Sequence, residues 1–171
     1  MNLLDQYRHM HEAGHFPGHS TEKWSEDIKM LIEKHKASSL LDYGCGKGMQ
    51  YYKRRLHADW GVEMPALYDP AVPGLDDRSI VKKSYDGVIC TDVLEHLEGH
   101  QLQMAIKDCL DCARRFVLFS ITCRPAKKLL PDGRNCHITV QPPTWWRGYI
   151  QACRDADFTL GSLEVVLRFE E

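Results

Sequence analysis

The chain has 171 residues, a formal net charge of −2, and hydrophobic and charged fractions of 43% and 27%, which suits a single domain with a core that needs no disulfide staples. That balance advertises neither nucleic acid nor an anionic membrane as a partner. No apolar run approaches the ~20 residues of a membrane span, and the amino terminus carries no signal-peptide core, so a cytoplasmic protein is expected. Seven cysteines, an odd number scattered through predicted elements, point to reduced, mostly buried thiols rather than a disulfide framework.

Residues 1–19 are irregular in pattern and rich in histidine: His9, His11, His15 and His19. Histidine is the commonest metal ligand, but spacing alone does not supply the geometry of a site, and no metal is expected. Ser20 or Thr21 caps a predicted helix reaching residue 36, with Trp24, Ile28, Leu31 and Ile32 on one stripe. A short apolar strand then runs into Leu40-Leu-Asp-Tyr-Gly-Cys-Gly-Lys-Gly48. The glycines allow a tight turn against a ligand, and a helical continuation over 49–57 would aim free N–H groups at it.

Residues 65–69 read as a second strand ending in Asp69, followed by a compressed stretch punctuated by Pro and Gly, with no convincing further strand. A third strand starts at Tyr85 and runs through Thr91 and Asp92 into Leu94-Glu-His-Leu97, read as the start of a helix. Cys109 and Cys112 share a face of the helical stretch 102–113 and lack a second pair to complete a zinc site, so they read as core. A fourth strand covers 115–121, a long connection 122–141, and a helix opens at Pro143 and carries Trp145 and Trp146. The tail alternates through Phe158, Leu160, Leu163, Val165, Leu167 and Phe169 around a Gly161-Ser162 turn, the pattern of a hairpin with a half-buried face.

Dinucleotide-binding chains carry G-x-G-x-x-G with an acid ~20 residues later. Here the spacing is G-x-G-x-G, and Asp42 stands two positions before the first glycine. This pattern, with Asp69 and the Leu-Glu-His-Leu segment downstream, resembles the class I S-adenosylmethionine-dependent methyltransferases of small-molecule type. The resemblance covers roughly residues 38–121. It implies a doubly wound, Rossmann-like α/β fold, a mostly parallel sheet closed by a C-terminal antiparallel hairpin, in one domain over 1–171. It implies S-adenosylmethionine as cofactor, held by Asp42, Tyr43, Gly44, Cys45, Gly46 and Gly48 at its amino-acid end. Asp69 and Pro70 would sit at the ribose, and Thr91, Asp92 and Val93 beside the transferring methyl. Gly74-Leu-Asp-Asp77 would offer an acid to the adenine.

The expected activity is methyl transfer to an oxygen or nitrogen of a small polar or sugar-like acceptor. Arg124, Arg134, Asn135 and Trp145 of the 122–146 loop, with Tyr7 and His15 of an amino-terminal lid over 1–19, are the candidate acceptor contacts. His137 is the first candidate for a general base and His96 the second. The partner is a small molecule, with no membrane or nucleic acid, and a homodimer would let a second subunit help recognise the acceptor. Three other readings compete: a non-catalytic cofactor-binding regulatory subunit, a nicotinamide-dependent oxidoreductase and an RNA methyltransferase.

Overall fold

The computed structural model describes residues 1–16, 18–156 and 162–171. Five strands form one sheet in the order β2-β1-β3-β4-β5: β1 Leu40–Tyr43, β2 Ala66–Tyr68, β3 Tyr85–Thr91, β4 Ala113–Thr122 and β5 Glu164–Glu170. Every pairing among them is parallel. Parallel strands covered on both faces read as nearly continuous apolar runs, which is how β3 and β4 look in the sequence. Their side chains divide by alternation. Val88, Cys90, Val117, Phe119 and Ile121 meet Leu102 and Ile106 of α6 (Gly99–Cys112) and Trp146 and Ile150 of α7 (Pro143–Asp155). Ile89, Phe116 and Leu118 meet Ile28, Leu31 and Ile32 of α3 (Ser25–His35) on the opposite face. Many of these side chains have no exposed surface, and each fully buried one contributes roughly 1.5–3 kcal/mol. The result is a doubly wound, Rossmann-like α/β domain.

Several local elements differ from these expectations. The tail does not close the sheet with an antiparallel pair: Phe116 pairs with Glu164 and Thr122 with Glu170, both numbers rising together. The cause is α7, which carries the chain back along the sheet, so that the next strand enters in the same direction as β4. The expected first arm at 158–160 lies outside the described residues. The helix expected over 20–36 is two, α2 (Ser20–Lys23) and α3, parted at Trp24, whose φ of −103° and ψ of 13° are not helical. The continuation after the glycines breaks into α4 (Met49–Tyr52) and α5 (Leu56–Asp59), because Arg55 between them adopts a left-handed conformation with φ 55°. Leu94–His96 form a single 3-10 turn, and the long helix begins only at Gly99.

The amino-terminal arm is not irregular. It opens with α1, Leu3–Glu12, capped by the Asn2 side chain, whose Oδ1 accepts the Asp5 N–H at 2.9 Å. Leu3, Tyr7 and Met10 lie on one face and pack with Ala71, Leu130 and Cys136. The helix therefore bridges the loop after β2 and the loop after β4. Among the described residues no helix is long and apolar enough to cross a membrane. All seven cysteines are free, and Cys109 and Cys112 are core residues of α6.

Candidate active site

The order β2-β1-β3 places successive connections on opposite sides of β1, so the sheet has a reversal point between β1 and β3. In open α/β sheets the loops part at such a point, and ligands bind beyond the carboxyl ends of the strands there. A cavity of about 580 Å³ lies at this place, walled by the loops after β1, β2 and β3 and roofed by α1. Its size falls in the range of small-molecule and cofactor sites.

The floor is the glycine turn. Gly44 has φ 77°, and a Cβ on it would overlap the Val93 side chain, so the loops after β1 and β3 touch only because that position lacks a side chain. A Cβ on Gly46 would come within 3.1 Å of the Gly18 Cα, packing the arm before α2 against the turn. Tyr43, Gly44, Cys45 and Gly46 all line the cavity, whereas Gly48 instead caps α4 with φ 64° and is not on the wall. Asp42 also stands behind the wall. Its Oδ2 accepts Tyr51 OH at 2.8 Å and Gln50 Nε2 at 3.0 Å, so it clamps α4 to β1. Burial pushes its carboxyl up to about 6, against the pull of those two donors.

Asp69, at the end of β2, lines the cavity with Pro70. Its Oδ2 accepts the Gly46 N–H and its Oδ1 the Ala71 N–H, both at 2.9 Å. His11 of α1 brings Nε2 to 4.0 Å from Oδ2. Burial pushes the Asp69 carboxyl up and the His11 ring down. Thr91, Asp92 and Val93 form the third wall. Asp92 has φ 54° and accepts Ser120 Oγ on Oδ1 at 3.1 Å, while Thr91 Oγ1 pairs with Thr21 Oγ1 at 3.0 Å.

Behind this wall Glu95 has no exposed surface. Oε1 accepts the Thr122 N–H at 2.8 Å and Oε2 has no partner. Burial, reinforced by the neighbouring Asp92 charge, pushes its carboxyl up to about 8. His96 lines the cavity, and its Nδ1 lies 2.8 Å from the Cys136 carbonyl. A carbonyl only accepts, so Nδ1 carries the proton and Nε2 keeps the lone pair. Burial lowers this ring to about 4, leaving it neutral near pH 7.

The roof is tied at several points. Gln6 and Asp132 exchange two hydrogen bonds, of 2.8 and 3.1 Å. Tyr7 OH donates to the Cys136 carbonyl at 2.6 Å, Arg8 donates to the Pro70 carbonyl, and Lys128 Nζ donates to the His15 carbonyl. Tyr7, His15, Phe16 and Lys128 all line the cavity.

The other residues expected around the acceptor lie elsewhere. His137 is off the wall, with Nδ1 2.6 Å from the Arg124 carbonyl and its ring edge-on to His96 at 5.0 Å. Arg124 pairs with Glu170, and Arg134 with Asp132 and Glu98. Asn135 spans both backbone groups of Ala126 and accepts the His137 N–H, holding its own loop in shape. Trp145 stacks on Tyr149 at 4.8 Å on the outside of α7. Asp76 and Asp77 cap local turns at Gly74 and Ser79 and do not reach the cavity. At that end the polar wall residues are Arg78, bound through two nitrogens to Asp108, and Gln101. His9, His15 and His19 are exposed, and among the described residues no three His, Cys, Asp or Glu side chains are grouped as for a metal.

Sequence reasoning missed His11, Gln101 and Lys128 as wall residues. For His11 a signal existed: Asn2 as cap with Leu3, Tyr7 and Met10 at helical spacing places it on the first helix. No protein-family model, curated protein or solved structure matches the chain.

Proposed function

We propose that this chain is an S-adenosylmethionine-dependent methyltransferase acting on an oxygen or nitrogen of a small molecule. One observation carries the reading: the short G-x-G-x-G turn, the Asp69 carboxylate and the 91–93 turn converge on a single cavity at the sheet reversal. The residues present fit the cofactor. Gly44 and Gly46 bring bare backbone to the cavity floor. Each Asp69 oxygen holds one backbone donor and keeps a second lone pair, a set suited to two neighbouring ribose hydroxyls. Two features depart from the resembled fold: the parallel β5, and Asp42, which serves the scaffold rather than the wall.

When bound, the cofactor supplies an electrophilic methyl on a sulfonium sulfur. The chain's part is to position the acceptor in line with it and keep water out, which can supply much of the rate. In this reading α1 and the 122–146 loop close over the pair. His96 accepts a hydrogen bond from the attacking hydroxyl or amine through Nε2 and so orients its lone pair, and the proton released on methyl transfer passes to solvent as the products leave. A ring lowered to about 4 is a weak base, so its contribution is orientation more than proton abstraction.

Calorimetric titration of the protein with S-adenosylhomocysteine and with NADH tests the reading. Stoichiometric binding of the former with no heat from the latter is expected. Binding of NADH alone would return the chain to the oxidoreductases. Cofactor binding without methyl transfer to any extract fraction would favour a non-catalytic cofactor-binding subunit.

A further inference from the structure

We infer that the acceptor is a small planar aromatic molecule carrying an anionic group, rather than a sugar. The inference rests on the methyltransferase reading only in treating this part of the cavity as the acceptor's place. Beyond the glycine turn the cavity continues between α1 and the 94–97 turn, and there its wall changes character. Tyr7, Phe16 and His96 form a cluster of three rings with centroids 5.4–6.1 Å apart, tilted or edge-on to one another. Leu4 and Leu97 extend the same wall.

The polar atoms of these rings are largely committed. Tyr7 OH and His96 Nδ1 both donate to the Cys136 carbonyl, at 2.6 and 2.8 Å. A sugar in this lobe would bury several hydroxyls against carbon, and each unpaired hydroxyl is costly. A flat ring instead meets faces and edges suited to stacked or edge-on contact. His11, whose ring centroid lies 5.3 Å from that of Phe16, turns its Nε2 toward Asp69 and leaves its buried Nδ1 without a partner. Two further polar features remain. One is the His96 lone pair, which suits the attacking O–H or N–H. The other is Lys128 at the mouth, whose Nζ lies 4.9 Å from the Phe16 ring centroid and donates to the His15 carbonyl. Among the described residues Lys128 has no carboxylate partner, and the acids on the wall, Asp69 and Asp92, belong to the cofactor end. A carboxylate on the guest's far edge would neutralise that lysine while the ring lies against Phe16 and Tyr7.

The test is calorimetry on the full chain with 4-hydroxybenzoate, its neutral analogue 4-hydroxybenzamide and glucose, each with and without S-adenosylhomocysteine. We expect 4-hydroxybenzoate to bind at least tenfold more tightly than the amide, and glucose not to bind. Lys128→Met should erase the preference for the acid, Lys128→Arg should keep it, and neither should change affinity for S-adenosylhomocysteine. Equal affinity for acid and amide, a preference that survives Lys128→Met, or binding of glucose alone would overturn the inference. Failure of S-adenosylhomocysteine to bind, with the Lys128-dependent preference intact, would overturn the methyltransferase reading and leave this lobe as a site for an anionic aromatic guest that is not a methyl acceptor.

Discussion

Asp69 carries two loads, and a substitution there exposes both. Its oxygens satisfy the buried N–H groups of Gly46 and Ala71 while lining the cavity. Asp69→Ala strands two donors, each worth about 1–3 kcal/mol when left unpaired in the interior. We expect a stability loss of about 2–4 kcal/mol in urea titrations, together with weaker S-adenosylhomocysteine binding. A variant with unchanged affinity would place the ribose elsewhere. Glu95 works through pH. Its carboxyl is raised from an ordinary 4.5 to about 8, so over that interval the unfolded chain is ionised while the folded one stays protonated. The stability it contributes is therefore complete below about pH 4.5 and is lost as pH rises through 8, by up to about 5 kcal/mol. Glu95→Gln removes that dependence. Its melting temperature should exceed that of the parent at pH 8.5 and approach it at pH 4.5; parallel curves would show that Glu95 ionises in the folded protein.

Among the elements, α1 roofs the cavity and is tied to the loops after β2 and β4. Tyr7 OH is a direct link from the helix to the 122–146 loop, and His96 Nδ1 would remain as a donor to the same carbonyl after Tyr7→Phe. The loss should be about 1 kcal/mol, which corresponds to roughly fivefold faster amide exchange in the helix if it opens as a unit. Exchange confined to its first turn would mean that it frays rather than lifts. The helix escaped sequence reading because its exposed face is crowded with His, Glu and Arg, which masks the three apolar positions that bury it. The strands were legible for the opposite reason: both faces of β3 and β4 are covered, so little but apolar residues fits. The direction of β5 was not legible, since alternation is blind to polarity and only the crossover through α7 decides it. The break at Arg55 had no herald either, because no Gly or Asn marks that left-handed position. In the site, Asp69 and residues 91–93 lie on the cavity wall because a strand end fixes where its loop begins, whereas Asp42 at the end of β1 turns into the scaffold. The polar residues of the 122–146 loop could not be placed from sequence, since Arg134, Asn135 and His137 spend their hydrogen bonds on the loop and its neighbours.

For the molecule as a whole, the strand order explains why the cavity lies where it does. The reversal between β1 and β3 parts the loops, and the glycine turn, Asp69 and Val93 become neighbours although they stand far apart in sequence. The 3-10 turn after β3 and the loop after β4 hold each other, through the Thr139 N–H to the Glu95 carbonyl at 2.9 Å and Thr139 Oγ1 to the Leu97 carbonyl at 2.6 Å. Floor, wall and roof are thus braced by the chain's own hydrogen bonds, and such bracing lowers the ordering cost of binding. On the proposed function, this cavity takes S-adenosylmethionine. Backbone amide chemical-shift mapping with S-adenosylhomocysteine tests it most directly. Saturable shifts concentrated at Gly44, Gly46, Asp69, Asp92 and Val93 are expected, with smaller ones along α1. Shifts absent from these positions, or gathered on the far side of the sheet near Trp145 and Tyr149, would contradict that function.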